Sequence, residues 1–149
     1  MTVAPQSQQQ AQDTVVGHLR RTLAGLPPGT TLDATRFAGA GHNSYCDDND
    51  SGAAAPMRFH TIGELTGAPA GAGVVTAVGD LWRSWGWQVL EREGFRTPNR
   101  FGYSPDGYRL QIVAAAVAGY PPTVQASSPC FPRQLARDDI PIPDVLDAG

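Results

Sequence analysis

The chain has 149 residues, of which 41% are hydrophobic and 17% are charged, and its formal net charge at pH 7 is -3. This length fits one domain with a buried core, and the hydrophobic content excludes a wholly disordered chain. The slightly negative charge argues against nucleic-acid binding. The sequence contains no run of about 18 apolar residues, which a membrane-spanning helix requires.

The predicted elements begin after a polar lead. Residues 1–12 are rich in glutamine and nearly free of apolar side chains, which is typical of a flexible, solvated tether. They contain neither the basic nor the apolar region of a signal peptide, so we expect any export signal to have been removed before the first residue. Val15, Leu19 and Leu23 then recur at helical spacing, and Asp13 is placed to cap that helix.

A second helix and several strand segments follow. The helix is predicted over 71–85, where one apolar stripe repeats every three to four residues. A polar loop is predicted over 39–56, and a Ser-Pro-Asp-Gly turn over 104–107. The segments with strand character are 30–37, 57–65, 87–93, 99–103, 108–117 and 123–127.

This order of elements predicts an α+β fold. We expect an antiparallel sheet of about four to five strands, with two helices packed on one face. The single domain is predicted to cover 13–131, and the proline-rich segment 132–149 is predicted to be an irregular tail. Neither face of the strand over 87–93 is cleanly apolar, so the sequence does not determine which face meets the helices.

Two cysteines lie far apart in sequence, each in a polar loop. In an oxidising compartment Cys46 and Cys130 would form one disulfide that pins the long loop to the end of the sheet. In the cytosol they would stay as two reduced thiols. Neither has a histidine that the sequence can place beside it, so a catalytic thiol is disfavoured.

The most polar stretch offers oxygen ligands for a metal ion. Asp47, Asp48 and Asp50 are of the type that binds Ca²⁺, but the closing glutamate and the flanking helices of an EF-hand are missing. A solvated loop is the alternative. The histidines show no zinc-binding spacing, and the chain has no phosphate-binding loop and no nucleophile elbow. We therefore expect no catalytic residue and no cofactor.

An aromatic-rich segment supplies the candidate binding residues. Trp87, Tyr103 and Tyr108 lie near predicted strand ends, with Arg96 and Arg100 beside them. Exposed rings at these positions would bind an apolar or amphipathic ligand or a protein partner, and the arginines would meet an anionic group. The alternative is that the rings belong to the core and the arginines are solvated on a hairpin.

Several features of the second half occur together. They are the step Trp85-Gly86-Trp87, the turn Pro105-Asp106-Gly107, the long strand 108–117, and the segment Ser127-Ser128-Pro129-Cys130 with Cys46 as its partner. In these the chain is similar to the mature domains of small exported actinobacterial lipoproteins of the mycobacterial type. The resemblance implies an extracytoplasmic α+β domain with one disulfide, and it carries over no catalytic residue. The lipobox cysteine of such proteins is missing here.

Together these patterns favour a non-enzymatic domain of the cell envelope. We expect it to bind an apolar or amphipathic ligand or a protein partner, to bind no nucleic acid, and to reach a membrane only through an N-terminal tether. A cytosolic interaction or immunity-type module is the alternative that two reduced cysteines would favour. A small envelope hydrolase that uses His42 and the acidic loop is a third interpretation.

Overall fold

The computed structural model describes residues 2–37, 40–47, 49, 52, 54–67, 72–137 and 139–149. Two α-helices lie among these residues, α1 over Gln8–Ala24 and α2 over Ala72–Ser84. Short 3-10 turns cover Thr35–Phe37 and Arg133–Leu135. The strands are β1 (Thr31–Asp33), β2 (His42–Tyr45), β3 (Met57–Thr66), β4 (Gln88–Leu90), β5 (Asn99–Tyr103), β6 (Arg109–Val113), β7 (Thr123–Ser127) and β8 (Val145–Leu146).

The eight strands form one antiparallel sheet in the order β4-β5-β6-β7-β3-β1-β8, and β2 pairs with β3 beside β1. Strands β4 to β7 are neighbours in both sequence and space. The turn between β5 and β6 needs a residue with positive φ, and Gly107 supplies it at 96°. The hydroxyl of Ser104 accepts the backbone N–H of Tyr108 at 2.9 Å and closes this turn.

Both helices pack on one face of the sheet and enclose the core. Trp82 of α2 is fully buried, and its indole N–H donates to Thr22 Oγ1 of α1 at 3.1 Å. The Trp82 ring lies against Gly102 of β5, where an added Cβ would be 2.6 Å from Trp82 Cε3. Val89 is paired with Gly102, so this strand turns Val89 toward the helices. The core includes Val15, Leu19, Leu23, Leu32, Phe59, Leu65, Val75, Val78, Leu110, Ile112, Val124 and Ala126.

The α+β class and the antiparallel sheet are confirmed, but the predicted number of strands is too low. Strand β2 falls within the segment predicted as a loop, and β8 falls within the segment predicted as an irregular tail. β2 is a polar strand that pairs with β3 alone, and β8 has only two residues. Backbone hydrogen bonds hold both of these strands in the sheet. Their sequences lack the alternation of apolar and polar residues from which a strand is predicted.

The first helix begins earlier than predicted. Ser7 caps α1, because its hydroxyl accepts the backbone N–H of Gln10 at 3.0 Å, and Asp13 lies inside the helix. Gln8 and Gln12 are buried, although glutamine-rich composition suggested a solvated tether. The prediction of a tether over 1–12 is therefore wrong for 8–12, because these amides find hydrogen-bond partners in segments distant in sequence.

The C-terminal segment also belongs to the folded domain. Leu146 of β8 is buried and pairs with Leu32 of β1. The backbone N–H of Ala34 donates to the carbonyl of Asp144 at 2.8 Å, which extends this pairing. The segment 132–149 is therefore only partly irregular, since its last residues complete one edge of the sheet.

The disulfide is confirmed. Cys46, directly after β2, is bonded to Cys130, three residues after β7, with the two Cα atoms 6.3 Å apart. Strand β3 lies between β2 and β7, so the bond links the segments that flank its first residues. Phe131 and Met57 exchange backbone hydrogen bonds of 2.8 and 2.9 Å beside it. Among the described residues, no helix has the length and apolar character needed to cross a membrane.

Candidate functional site

The sheet face opposite the helices is not covered by any described helix, and we call it the open face. Along β3, Phe59, Thr61 and Leu65 are buried under the helices, whereas Arg58 and His60 point to the open face. An antiparallel sheet commonly has one packed face and one solvated face. The open face therefore indicates function only through the chemistry of its side chains.

Polar side chains form a continuous line across the open face. Each member is paired in register with the next on the neighbouring strand, from β2 to β5. Adjacent strands are about 4.8 Å apart, so five neighbouring strands span about 19 Å. We call this line the basic row, and its members are His42, His60, Ser127, Arg109 and Tyr103.

Two further arginines flank the basic row. The guanidinium of Arg92 donates a hydrogen bond to the hydroxyl of Tyr103, and its carbon lies 5.7 Å from the centre of that ring. Burial lowers the pKa of Arg109, Tyr103 opposes that shift, and Arg58 and Arg92 lower the pKa further. No described carboxylate forms an ion pair with Arg58, Arg92 or Arg109. This part of the open face therefore concentrates positive charge without a counterion from the described chain.

Histidine adds to the same surface. The rings of His42 and His60 lie side by side, with their centroids 5.7 Å apart. Burial lowers the pKa of His60, and the neighbouring His42 and Arg58 lower it further. At neutral pH His60 is therefore neutral, and it offers the basic row a hydrogen-bonding imidazole.

The loop between β4 and β5 folds over the open face at β5, near one edge of the sheet. Phe101 of β5 is buried there, under the ring of Phe95 at 5.0 Å and the guanidinium of Arg92 at 4.9 Å. Asn99 is fully buried and holds the loop, since its amide nitrogen donates to the carbonyls of Arg92 and Arg96, each at 3.0 Å. These bonds hold the backbone of the loop at Arg92 and Arg96.

A groove of about 1080 Å³ lies beside this loop, and it is largely open to solvent. The loop over 94–97, the connection over 114–121 and the 3-10 turn Thr35–Phe37 form its walls. Phe95, Val117 and Tyr120 line it with 48%, 55% and 61% of their surfaces exposed.

The two arginines that line the groove differ in their ion pairing. Arg36 and Glu64 form an ion pair of 3.1 Å at one end. Arg96 lines the groove, and its side chain forms no ion pair with any described carboxylate. We call the surface formed by Phe95, Arg96, Val117 and Tyr120 the aromatic groove.

The structure separates the five residues predicted to bind a ligand. Arg96 lies in the aromatic groove and Tyr103 in the basic row. Trp87 and Tyr108 are core residues, 7% and 4% exposed, so the expectation that these rings are open to a ligand is wrong. Both contact His18 of α1, which lies over the strand ends and removes the two rings from solvent.

Arg100 lies on the helix side of the sheet. Its side chain packs so closely on α2 that a Cβ at Gly79 would be 2.7 Å from Arg100 Cγ. Its guanidinium pairs with Glu91 at 3.1 Å. Arg100 is therefore a packing residue, held between a helix and a neighbouring carboxylate.

The acidic loop is described only in part. Asp47 is exposed, and its carboxylate accepts the backbone N–H of Asn49 at 2.9 Å. Asp48 and Asp50 lie outside the described residues. Among the residues that the structure does describe, no three histidine, cysteine, aspartate or glutamate side chains form a metal-binding group.

Sequence reasoning missed most of the open face. Arg58 and His60 alternate with the apolar Phe59 and with Thr61, so the period of two along this strand was the signal that could have found them. The register between strands that brings Arg109 beside them is a long-range property, and no local pattern reveals it.

In comparisons with known proteins, no family model, no curated protein and no solved structure matches this chain. The resemblance to exported actinobacterial lipoproteins therefore stays a prediction.

Proposed function

We propose that this chain is a non-enzymatic binding domain that acts outside the cytoplasm and engages a protein partner through the aromatic groove. The observation that carries the proposal is the clustering of apolar surface. Five large hydrophobic side chains are strongly exposed among the described residues, and three of them, Phe95, Val117 and Tyr120, line this one groove. Contiguous exposed apolar surface is typical of an interaction site.

The shape of the groove favours a protein over a small molecule. Sites for small molecules enclose most of the ligand surface, whereas this groove is largely open to solvent. Aromatic and arginine side chains are the residue types enriched at the energetic centres of protein interfaces. Phe95, Tyr120 and Arg96 supply both types on one surface.

The charge of the groove indicates what the partner presents. Arg96 has no carboxylate partner among the described residues, whereas Arg36 is already paired with Glu64. A partner with an apolar side chain against Tyr120 and a carboxylate against Arg96 would satisfy both features. Such a charge pair contributes mainly to specificity and to the rate of association.

The disulfide supports an extracytoplasmic location. Disulfides persist in oxidising compartments and are rare in the reducing cytosol. The bond between Cys46 and Cys130 fixes β2 and the segment after β7 on either side of β3. The resemblance to envelope lipoproteins implies export. An exported domain of the cell envelope accounts for both the bond and the exposed groove.

Site-specific crosslinking tests the proposal. A photoreactive phenylalanine analogue at position 120, introduced in the cells that naturally produce the protein, is expected to give one dominant protein adduct. The same analogue at Val145, which is 48% exposed and does not line the groove, serves as the control.

The adduct protein is then purified and its affinity for the unmodified chain is measured by calorimetry. Tyr120→Ala is expected to weaken binding at least about tenfold, which corresponds to about 1.4 kcal/mol, because it removes exposed apolar contact area without touching the core. Val145→Ala is expected to leave the affinity unchanged. The proposal is wrong if positions 120 and 145 give the same adducts, or if the two alanine variants bind equally well.

A further inference from the structure

We infer that the basic row is a second binding site, and that it takes an extended acidic polysaccharide. The inference rests on the charge, the length and the hydrogen-bonding groups of the open face. It concerns a surface separate from the aromatic groove and does not depend on the proposed protein partner.

Three arginines concentrate positive charge on the open face. Arg58, Arg92 and Arg109 lie around one line of side chains, and none forms an ion pair with a described carboxylate. The chain as a whole carries a net charge of -3, so the charge of this region is opposite in sign to the net charge of the chain. Neighbouring like charges repel, and a bound polyanion would relieve that repulsion.

The length of the site favours a polymer over a single small anion. The basic row crosses five strands and spans about 19 Å from His42 to Tyr103. Its charged groups are spread along the line, with Arg58 and Arg109 toward the middle and Arg92 at the Tyr103 end. Anionic groups repeated along an extended chain match this distribution.

The neutral groups favour a glycan over other polyanions. Gln125 and Gln111 are paired across β7 and β6, two residues along each strand from the basic row, and both point to the open face. With the half-buried imidazole of His60, they offer donors and acceptors for hydroxyl groups, whereas Ser127 of the row is buried.

Along β7 the two surfaces lie apart. Ser127 belongs to the basic row, whereas Thr123 lines the same pocket as the residues of the aromatic groove. Four residues of an extended strand separate them, which is about 13 Å. At the β5 end the two surfaces meet, because Arg92 and Phe95 both pack on Phe101. Arg58 on β3 and Tyr120 after β6 lie outside this shared loop, so a substitution at either position alters one site.

The test uses alginate, a polysaccharide of uronic acids, as the probe, and dextran of similar length as the uncharged control. Binding of the intact, oxidised protein is measured by calorimetry at about 0.15 M and about 0.5 M salt, because screening weakens exposed charge interactions. We expect alginate to bind at the lower salt concentration and to weaken at the higher one, and we expect dextran not to bind.

Charge-neutralising variants locate the site. Arg58→Gln and Arg109→Gln together are expected to weaken alginate binding at least about tenfold. Arg83→Gln is the matched control for Arg58→Gln, since each removes one positive charge. Arg83 is exposed on α2, on the helix side, and its substitution is expected to change the affinity less than about twofold. Arg109 is half-buried, so Arg58→Gln alone provides the test if the variant at Arg109 fails to fold. Tyr120→Ala is expected to leave alginate binding unchanged.

Four results would overturn the inference. Absence of alginate binding at the lower salt concentration would remove it, as would equal weakening by Arg83→Gln and Arg58→Gln. Equally tight binding of poly-glutamate would indicate an acidic protein segment instead. Equally tight binding of a single-stranded oligonucleotide would indicate nucleic acid.

Discussion

At the scale of single residues, His18 is a polar side chain whose partial burial is unfavourable for folding. It lies on α1 against Trp87 and Tyr108, with ring centroids 4.8 and 5.5 Å away. Its Nε2 atom is buried and has no hydrogen-bond partner among the described residues. Burial lowers the pKa of His18 below its ordinary value of 6.5, although Asp106 acts in the opposite direction. The folded chain therefore keeps His18 neutral where the unfolded chain protonates it.

This difference makes stability depend on pH. Just below pH 6.5 the unfolded state binds more protons at this position than the folded state does, so the free energy of unfolding falls as the pH decreases. Above that pH both states are neutral, and the contribution is constant. His18→Asn is expected to make the decline shallower, which urea unfolding between about pH 7 and about pH 5 would measure.

The slope, and not the absolute stability, is the readout, because losing the ring contacts lowers stability at every pH. His60, whose pKa burial also lowers, accounts for part of the remaining slope. An unchanged slope in His18→Asn would show that this residue does not take up the proton.

At the scale of elements, an amide network joins the start of α1 to the C-terminal segment. The Gln8 side-chain oxygen accepts the Asn43 amide at 2.8 Å and also accepts the backbone N–H of Arg137. The Gln8 amide donates to Gln12 at 2.7 Å, and Gln12 donates to the carbonyl of Ile140 at 3.0 Å. Gln8 is thus the hub that ties a helix end, strand β2 and the tail together.

Removing this hub is expected to destabilise the fold. Gln8→Ala leaves the Arg137 N–H and the Gln12 oxygen without their partner in a buried site, which costs about 1–3 kcal/mol of unfolding free energy. Gln9→Ala is the matched control, because that amide bonds an exposed carboxylate one helical turn away and its loss is expected to cost less than about 0.5 kcal/mol. Urea unfolding of both variants provides the comparison, and equal losses would contradict the role given to Gln8.

The elements also show what the sequence can predict. Strands β3, β5 and β7 and helix α2 were predicted nearly to the residue, because apolar periodicity and turn residues mark them locally. The start of α1 and strand β8 depend on partners more than 100 residues away along the chain. No local window contains that information.

The sequence likewise predicts only part of the two binding surfaces. Arg96 and Tyr103 do lie on the open face, whereas Trp87 and Tyr108 are covered by α1. Proximity to a strand end does not determine burial when a helix crosses that end. The basic row arises from strand register, so it becomes visible only when the strands are paired.

At the scale of the whole molecule, the disulfide fixes the layout of the open face. The bonded cysteines are 84 residues apart in sequence, and closing such a loop stabilises the folded state by about 4–5 kcal/mol at most. The bond pins β2, which carries His42 of the basic row, beside β3. A binding domain outside the cytoplasm and a reduced cytosolic module therefore differ in one measurable property, the redox state of Cys46 and Cys130.

Intact mass spectrometry of the protein, purified without reductant from the cells that naturally produce it, measures that state. We expect no alkylation before reduction and alkylation of both cysteines afterwards, with the oxidised chain lighter by two hydrogen atoms. Two thiols that alkylate without reduction would contradict the extracytoplasmic location and would favour a cytosolic interaction module.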